Sequence, residues 1–286
     1  MKYAFIRANQ PKYPVLHLCE LLGVQPGSYY AWRKRPISQR ERDNTELDVC
    51  IRAVFVEHKS RYGSPRITEE LHEQGRACGE NRVAGRMQRL GLQAKGKRKY
   101  KATTQSNHGL PVAPNLLKQH FAADKPNQKW VSDITYVWTD EGWLYLAVVL
   151  DLYSRLVVGY ALSHRIDRAL VISALQMALF RRHYPRGVIL HSDRGSQYCS
   201  ADYQALLKEH GLVCSMSKRG DCYDNAAMES WNHSYKVETI HGERFVTRRQ
   251  AENITTDYID RYYNVKRRHS TIGQQSPQAY ELVNAA

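Results

Sequence analysis

Three strand-like runs stand close together in the middle of this chain. They are Lys129–Trp138, Trp143–Leu150 and Leu156–Leu162, all rich in Val, Ile, Leu, Tyr or Trp. Connections this short, with Asp140-Glu141-Gly142 as the first turn, allow only antiparallel neighbours, so the runs predict a meander. Helical and strand-like periods then alternate. Ile166–Arg181 reads as an amphipathic helix, Val188–Ser192 as a short buried strand, Ala201–His210 as a helix, Val213–Met216 as a strand and Asn225–Ile240 as a helix. The order β-β-β-α-β-α-β-α predicts an α/β fold, a five-stranded mixed sheet with flanking helices, over residues 125–245.

The first hundred residues read differently. Val15, Leu18, Cys19 and Leu22 make one apolar helical face, closed by Gly23, and a second short helix ends in Arg33-Lys34-Arg35. Pro36–Glu46 is charged and fits a linker or a helix start, and Leu47–His58 fits a helix. Ser64 and Pro65 mark the start of the next helix, with Ser64 as its cap, and Asn81 caps another that carries Val83, Met87 and Leu90. Arg82, Arg86 and Arg89 lie on the adjacent face. Lys95, Lys97, Arg98, Lys99 and Lys101 follow within seven residues that hold no acid. Two helix-turn-helix candidates therefore occupy an all-α, basic region over 1–102. Residues 103–124 read as a linker, and 246–286 as a helical extension of the core.

Net charge is +14. Residues 1–124 hold 22 Lys and Arg against 11 acids, so +11 of that excess lies before residue 125. Such a distribution points to a polyanionic partner for the N-terminal part, with Arg82, Arg86, Arg89, Lys95, Lys97, Arg98 and Lys99 as candidate DNA contacts. A fragment from 125 onward is then expected to fold alone and lose most DNA affinity. The longest apolar run, Trp143–Leu150, is too short to cross a membrane as a helix. The N-terminus meets Arg7 before a signal-peptide core could form, so the chain is expected inside the cell. No two of the six cysteines form a C-x-x-C pair, which predicts free thiols rather than a zinc finger or a disulfide framework.

The α/β order is that of ribonuclease-H-like folds, and it gives three acids a common address. Asp133 interrupts an apolar strand, Asp193 closes another, and Glu229 lies on a helix with 35 residues between it and Asp193. If the strands of Asp133 and Asp193 are neighbours and the Glu229 helix packs over them, three carboxylates meet. Like charges raise one another's pKa, and a divalent cation resolves the conflict. All-oxygen ligation favours Mg²⁺ or Mn²⁺ over zinc. Asn225 and Lys236 fall on the helix face of Glu229, and Lys236 is placed to touch a phosphate. His191, His233 and Asp151 are nearby, with packing, solvation or a turn role as the plainer reading of each.

These residues carry a resemblance. Trp130-Val131-Ser132-Asp133-Ile134-Thr135-Tyr136, His191-Ser192-Asp193-Arg194-Gly195-Ser196-Gln197-Tyr198 and Asp224-Asn225-Ala226-Ala227-Met228-Glu229-Ser230 resemble the DDE transposases of insertion sequences. The match is to the downstream-frame (OrfB) protein of the IS-three family, which shares the retroviral-type integrase catalytic core. Tyr62-Gly63-Ser64-Pro65-Arg66, Tyr263-Asn264, Arg268-His269 and Ser276-Pro277 extend it over nearly the whole chain. The resemblance implies a catalytic triad of Asp133, Asp193 and Glu229 holding two Mg²⁺ or Mn²⁺ ions, with Lys236 as the basic residue after the glutamate. It implies DNA cleavage and strand transfer at transposon ends in the bacterial cytoplasm, at the nucleoid. It also implies an upstream-frame OrfA partner, possible fusion to it by frameshifting, and a homo-oligomer on DNA. A ribonuclease-H-like nuclease without strand transfer and a non-catalytic DNA-binding regulator stay open as alternatives.

Overall fold

A computed structural model describes residues 1–96, 111–218 and 222–284. Six helices come first: α1 (Lys2–Asn9), α2 (Val15–Leu21), α3 (Pro26–Lys34), α4 (Gln39–Glu57), α5 (Ser64–Glu73) and α6 (Glu80–Arg89). The meander follows as β1 (Lys129–Thr139), β2 (Gly142–Asp151) and β3 (Val157–Ser163). Then come α7 (Arg168–Arg181), β4 (Ile189–Ser192), α8 (Ala201–Glu209), β5 (Val213–Met216) and α9 (Ala226–Tyr235). A π-helical stretch, Lys236–Ile240, continues α9. The chain closes with α10 (Arg248–Asp257), a second π-helical stretch Tyr258–Tyr263, and α11 (Pro277–Asn284).

Helix starts differ from the sequence expectation in small ways. The charged segment before Leu47 is helix from Gln39, because the Ser38 side chain accepts the Glu41 N–H and caps it. The caps of α5 and α6 are Gly63 and Gly79 rather than Ser64 and Asn81. Both glycines are extended and leave the next residue free to begin the helix.

The sheet order is β3-β2-β1-β4-β5, with β1, β2 and β3 antiparallel and β4 parallel to both β1 and β5. Both faces of β2 are covered. Leu146, Val148 and Leu150 join a core with Trp231 and Met228 of α9 and Ala251 of α10, while Ala147 and Val149 join α7. This explains why Trp143–Leu150 reads as a continuous apolar run instead of alternating.

The N-terminal helices α4–α6 share the first of these cores: Leu47, Ile51, Ile67, Leu71, Val83 and Met87 pack in the same cluster as Val131 and Trp231. Polar ties run with them. Arg268 donates to Glu70 at 2.6 Å and pairs with Glu73, and Tyr62 donates to the Lys266 carbonyl at 3.2 Å. His58 stacks on Tyr62 at 3.8 Å. A fragment starting at 125 therefore exposes Trp231's neighbours and strips the buried Arg268 of its carboxylates. Independent folding of that fragment, expected from the sequence, does not follow from this packing. Helices α1–α3 have a small core of their own around Ile6, Leu18, Cys19 and Tyr29.

Helix α7 lies directly on β3 at Gly159. A Cβ there would stand 2.2 Å from the Ala174 carbonyl oxygen and 2.6 Å from the Ala178 nitrogen. Both neighbours are backbone and cannot rotate away. Gly159→Ala is expected to lower stability by about 3 kcal/mol or more by forcing the helix off the sheet. Chemical denaturation checks this, and an unchanged midpoint would refute the close contact.

Candidate active site

The parallel pairing of β1 with β4 sets the site. Val131 is level with His191, the last pair of that ladder, and two residues further on the chain reaches Asp133 within β1 and Asp193 just past the end of β4. Asp133 is half-buried. Its Oδ1 accepts the Ile134 N–H at 2.9 Å and its Oδ2 accepts the Asn232 side-chain amide at 2.7 Å. Asp193 lies just past the end of β4 and accepts the Gly195 N–H at 2.9 Å. A side chain at Gly195 would sit 3.0 Å from that carboxylate oxygen, so the bare glycine keeps the turn tight around it. The loop after β4 is tied back to β1 by a 3.0 Å hydrogen bond between Tyr198 and Ser132.

Glu229 is on the first turn of α9 and is exposed. Burial holds its carboxyl above the usual glutamate range. Asp133 is pushed up to about 7, first by burial and then by the neighbouring charges of Asp193 and Glu229. The three acids thus feel one another. Among the described residues, however, no three carboxylates, imidazoles or thiols close around a single ion position. What the arrangement offers is an all-oxygen set in which burial first, and like charges after it, hold a proton on Asp133 near neutral pH, a demand that a cation satisfies.

Lys236 begins the π-helical stretch after α9 and is buried, with its Nζ 4.5 Å from the centre of the Tyr136 ring. Burial lowers its pKa to about 8, and the charge of Asp133 works against that fall. Asn225 is buried at the start of α9; its amide reaches the Ser132 carbonyl at 3.4 Å, and its Oδ1 has no hydrogen-bond partner among the described residues. Asn232 was not among the residues singled out by sequence. It lies three residues after Glu229 and four before Lys236, so helical spacing alone puts it on the same face.

The plainer readings hold for the other three. His191 is buried between Ser215 and Ser217, and burial lowers it to about 4, so it is a neutral packed group. His233 is exposed. Asp151 is buried in a structural cluster, accepting from Asn127, Trp130, Tyr153 and Arg182.

Among the basic candidates, Arg86 faces inward and is bidentate on Asp48, and Arg82 donates twice to Asn44. Arg89 is exposed on the same helix. Lys95 reaches the Glu238 carbonyl at 3.5 Å and pairs with Glu243 at 3.6 Å. Lys97, Arg98 and Lys99 lie outside the described residues. Cys19, Cys50, Cys78, Cys199 and Cys214 are free thiols. Among the described residues no helix is long and apolar enough to cross a membrane.

The Asn232 amide favours the charged form of Asp133, so its removal has a defined sign. Asn232→Ala is expected to move the Asp133 titration upward from about 7 in the metal-free protein. Carboxyl-carbon NMR reads this directly. An unmoved titration would mean that the amide does not hold Asp133 in solution.

Comparison with known proteins places this geometry. A profile described as an integrase core domain matches residues 123–222, a second integrase core profile matches 210–277, and an HTH-like domain profile matches 41–100. Transposase InsF of insertion sequence IS3A from Escherichia coli (strain K12) is 50% identical over 288 residues, covering 100% of both chains. An uncharacterized 31 kDa protein of insertion element IS600 from Shigella sonnei is 45% identical over 263 residues, 92% of this chain and 97% of that protein. Among solved structures, a simian T-cell lymphotropic virus intasome in complex with a PP2A regulatory subunit aligns with a TM-score of 0.44 and 15% identity, over 75% of this chain and 73% of that one. With an integrase core carrying the acidic pair and an HTH-like domain ahead of it, the chain belongs to the insertion-sequence transposases.

Proposed function

We propose that this transposase cuts and joins DNA strands at the ends of its insertion sequence through Asp133, Asp193 and Glu229. The observation that carries the reading is that Asp133 on β1 and Asp193 just past the end of the adjacent parallel strand β4 each follow the last paired residues by two, with the charges of Asp193 and Glu229 both acting on Asp133. Two divalent cations, Mg²⁺ or Mn²⁺, held by these three carboxylates would activate the attacking oxygen and neutralise charge on the leaving 3′-oxygen. The chain's own part is positional. Asp133 is within reach of the charges of the other two acids, and Asn232 with the Ile134 N–H fixes its two oxygens. The Gly195 N–H fixes Asp193. Lys236 supplies a positive charge beside Asp133 where a DNA phosphate would lie, and Asn225 braces the start of the helix that carries Glu229.

DNA would be positioned by the basic N-terminal part, with the exposed Arg89 and the Lys95–Lys101 charges as contributors and Arg82 and Arg86 shaping the surface through their partners in α4. We divide the chain into a DNA-binding region over 1–102, a connector over 103–124, the catalytic core over 125–245 and a helical extension over 246–286. An upstream-frame OrfA partner and assembly of several copies on DNA complete the reading.

The test is cleavage and joining of terminal DNA in Mg²⁺. Asp133→Asn, Asp193→Asn and Glu229→Gln are each expected to lower both activities by about 10³-fold or more, while DNA binding persists. A variant with near-normal cleavage removes that residue from the triad. Cleavage of an RNA–DNA hybrid without strand joining would replace the transposase chemistry by that of a plain nuclease.

Metal and pH are linked through Asp133. Its folded pKa, about 7, lies above the ordinary 3.8, so the folded chain holds the extra proton between those values. Stability from this group is greatest at low pH and falls as pH rises through about 7. The metal-free protein is expected to lose stability between pH 5 and pH 8, Mg²⁺ to restore more at pH 8 than at pH 5, and Asp133→Asn to flatten both effects. Equal Mg²⁺ shifts at the two pH values would contradict the linkage.

A further inference from the structure

Behind the active-site face of α9 lies a second, cationic pocket. Glu229, Asn232 and Lys236 face Asp133, whereas Ala227, Ser230 and Ser234, about 100° per residue around the helix, face a cavity of about 320 Å³. Arg66, Arg155 and Arg267 reach it from three separate parts of the chain, and among the described residues no acid lines it. Its rim and walls carry hydroxyls, from Ser230, Ser234, Ser270 and Thr271.

The charges do not cancel. Arg267 is buried and holds Glu238 through Nε and Nη2, with Nη2 also donating to Ser234 and Nη1 meeting His269. Arg66 shares the same Glu238 at 3.5 Å and lies over the Tyr62 ring. One carboxylate thus serves two guanidinium groups. Arg155 is half-buried, and among the described residues its side chain makes no hydrogen bond or ion pair. His269, in the same pocket, is held neutral by burial and by the charges of Arg267, Arg66 and Arg155. An uncompensated excess of cations in a concave, hydroxyl-lined site attracts an oxyanion with acceptors on several sides. Arg155 also adopts a left-handed backbone, φ 65°, in the turn between β2 and β3, where glycine is the relaxed residue. Its side chain is kept at a backbone position that does not favour it.

We propose that this pocket binds a phosphate group, and that its source is a phosphodiester of a DNA strand crossing α9 beside Glu229. The DNA source rests on the transposase reading above; the phosphate chemistry does not. Bound there, the phosphate would fix the strand on the far side of the helix from the metals and so set its angle into the site.

The test uses the full chain and two substitutions outside the catalytic set. Arg155→Gly removes the guanidinium and relaxes the backbone, so its melting temperature should stay near that of the wild type. Arg155→Lys keeps a charge. Pyrophosphate, against chloride of equal ionic strength, is expected to stabilise the wild type and to bind about 10-fold more weakly to Arg155→Gly, with Arg155→Lys between. The salt dependence of terminal-DNA binding should flatten by about one unit in Arg155→Gly. No pyrophosphate stabilisation of the wild type, or the same affinity in Arg155→Gly, overturns the pocket assignment even if DNA cleavage is normal. Weakened pyrophosphate binding with an unchanged DNA salt slope overturns the DNA source and identifies a free phosphorylated ligand. A large fall in the melting temperature of Arg155→Gly would make the arginine structural and also overturn the proposal.

Discussion

Asp133 on β1 and Asp193 just past the end of its parallel neighbour β4 bring like charges into one small region, and burial sharpens the cost of keeping both ionised. The Ile134 N–H and the Asn232 amide fix the oxygens of Asp133, and the Gly195 N–H contacts Asp193. Burial first, and then the charges of Asp193 and Glu229, hold Asp133 near the point of protonation at about 7. A fold that only needed stability would gain by replacing one of the three. Their retention in one place makes sense as readiness for a cation.

The helix that brings Glu229 and Asn232 to the pair must be held firmly, and its anchor is electrostatic too. Glu238, two residues beyond Lys236 in the π-helical stretch, is buried against Arg267 and receives the Tyr258 hydroxyl at 3.0 Å. Arg61 donates to the Glu238 carbonyl at 3.1 Å and Arg66 lies near its carboxylate. The N-terminal helices, the α9 segment and the C-terminal extension thus meet at one residue. Burying such a network costs desolvation, but removing one member would leave charges unpaired at about 3–5 kcal/mol. This joins the N-terminal helices to the position of α9 through contacts rather than through a loose tether. Asp151 does similar work at the other end of β2, where Arg182 links it to Glu281 of α11.

The sheet order and the three acids were legible in the sequence because each depends on local pattern. Strand runs, short turns and an acid inside an apolar strand survive without knowledge of distant contacts. The fate of the arginines was not legible. Arg86 and Arg82 fit a DNA-facing stripe by spacing, yet their partners Asp48 and Asn44 lie 38 residues earlier, on a helix whose packing angle no local pattern encodes. Asn232 was accessible in principle from helical spacing, but an asparagine in a helix carries no signal until the carboxylate it meets is in place. Arg66, Arg155 and Arg267 are 89 and 112 residues apart along the chain, so their pocket exists only in three dimensions.

The claim that the three acids share bound metal can be tested without DNA and without activity. Fe²⁺ substituted for Mg²⁺ and supplied with hydrogen peroxide and ascorbate generates hydroxyl radicals at its binding site and cuts the nearby backbone. Mapping the fragments of the full chain should give three clusters of cuts, around Asp133, Asp193 and Glu229, which Mg²⁺ suppresses and which Asp133→Asn abolishes together. Cuts confined to one of these segments, or spread over the basic N-terminal part, would contradict a metal site built from all three.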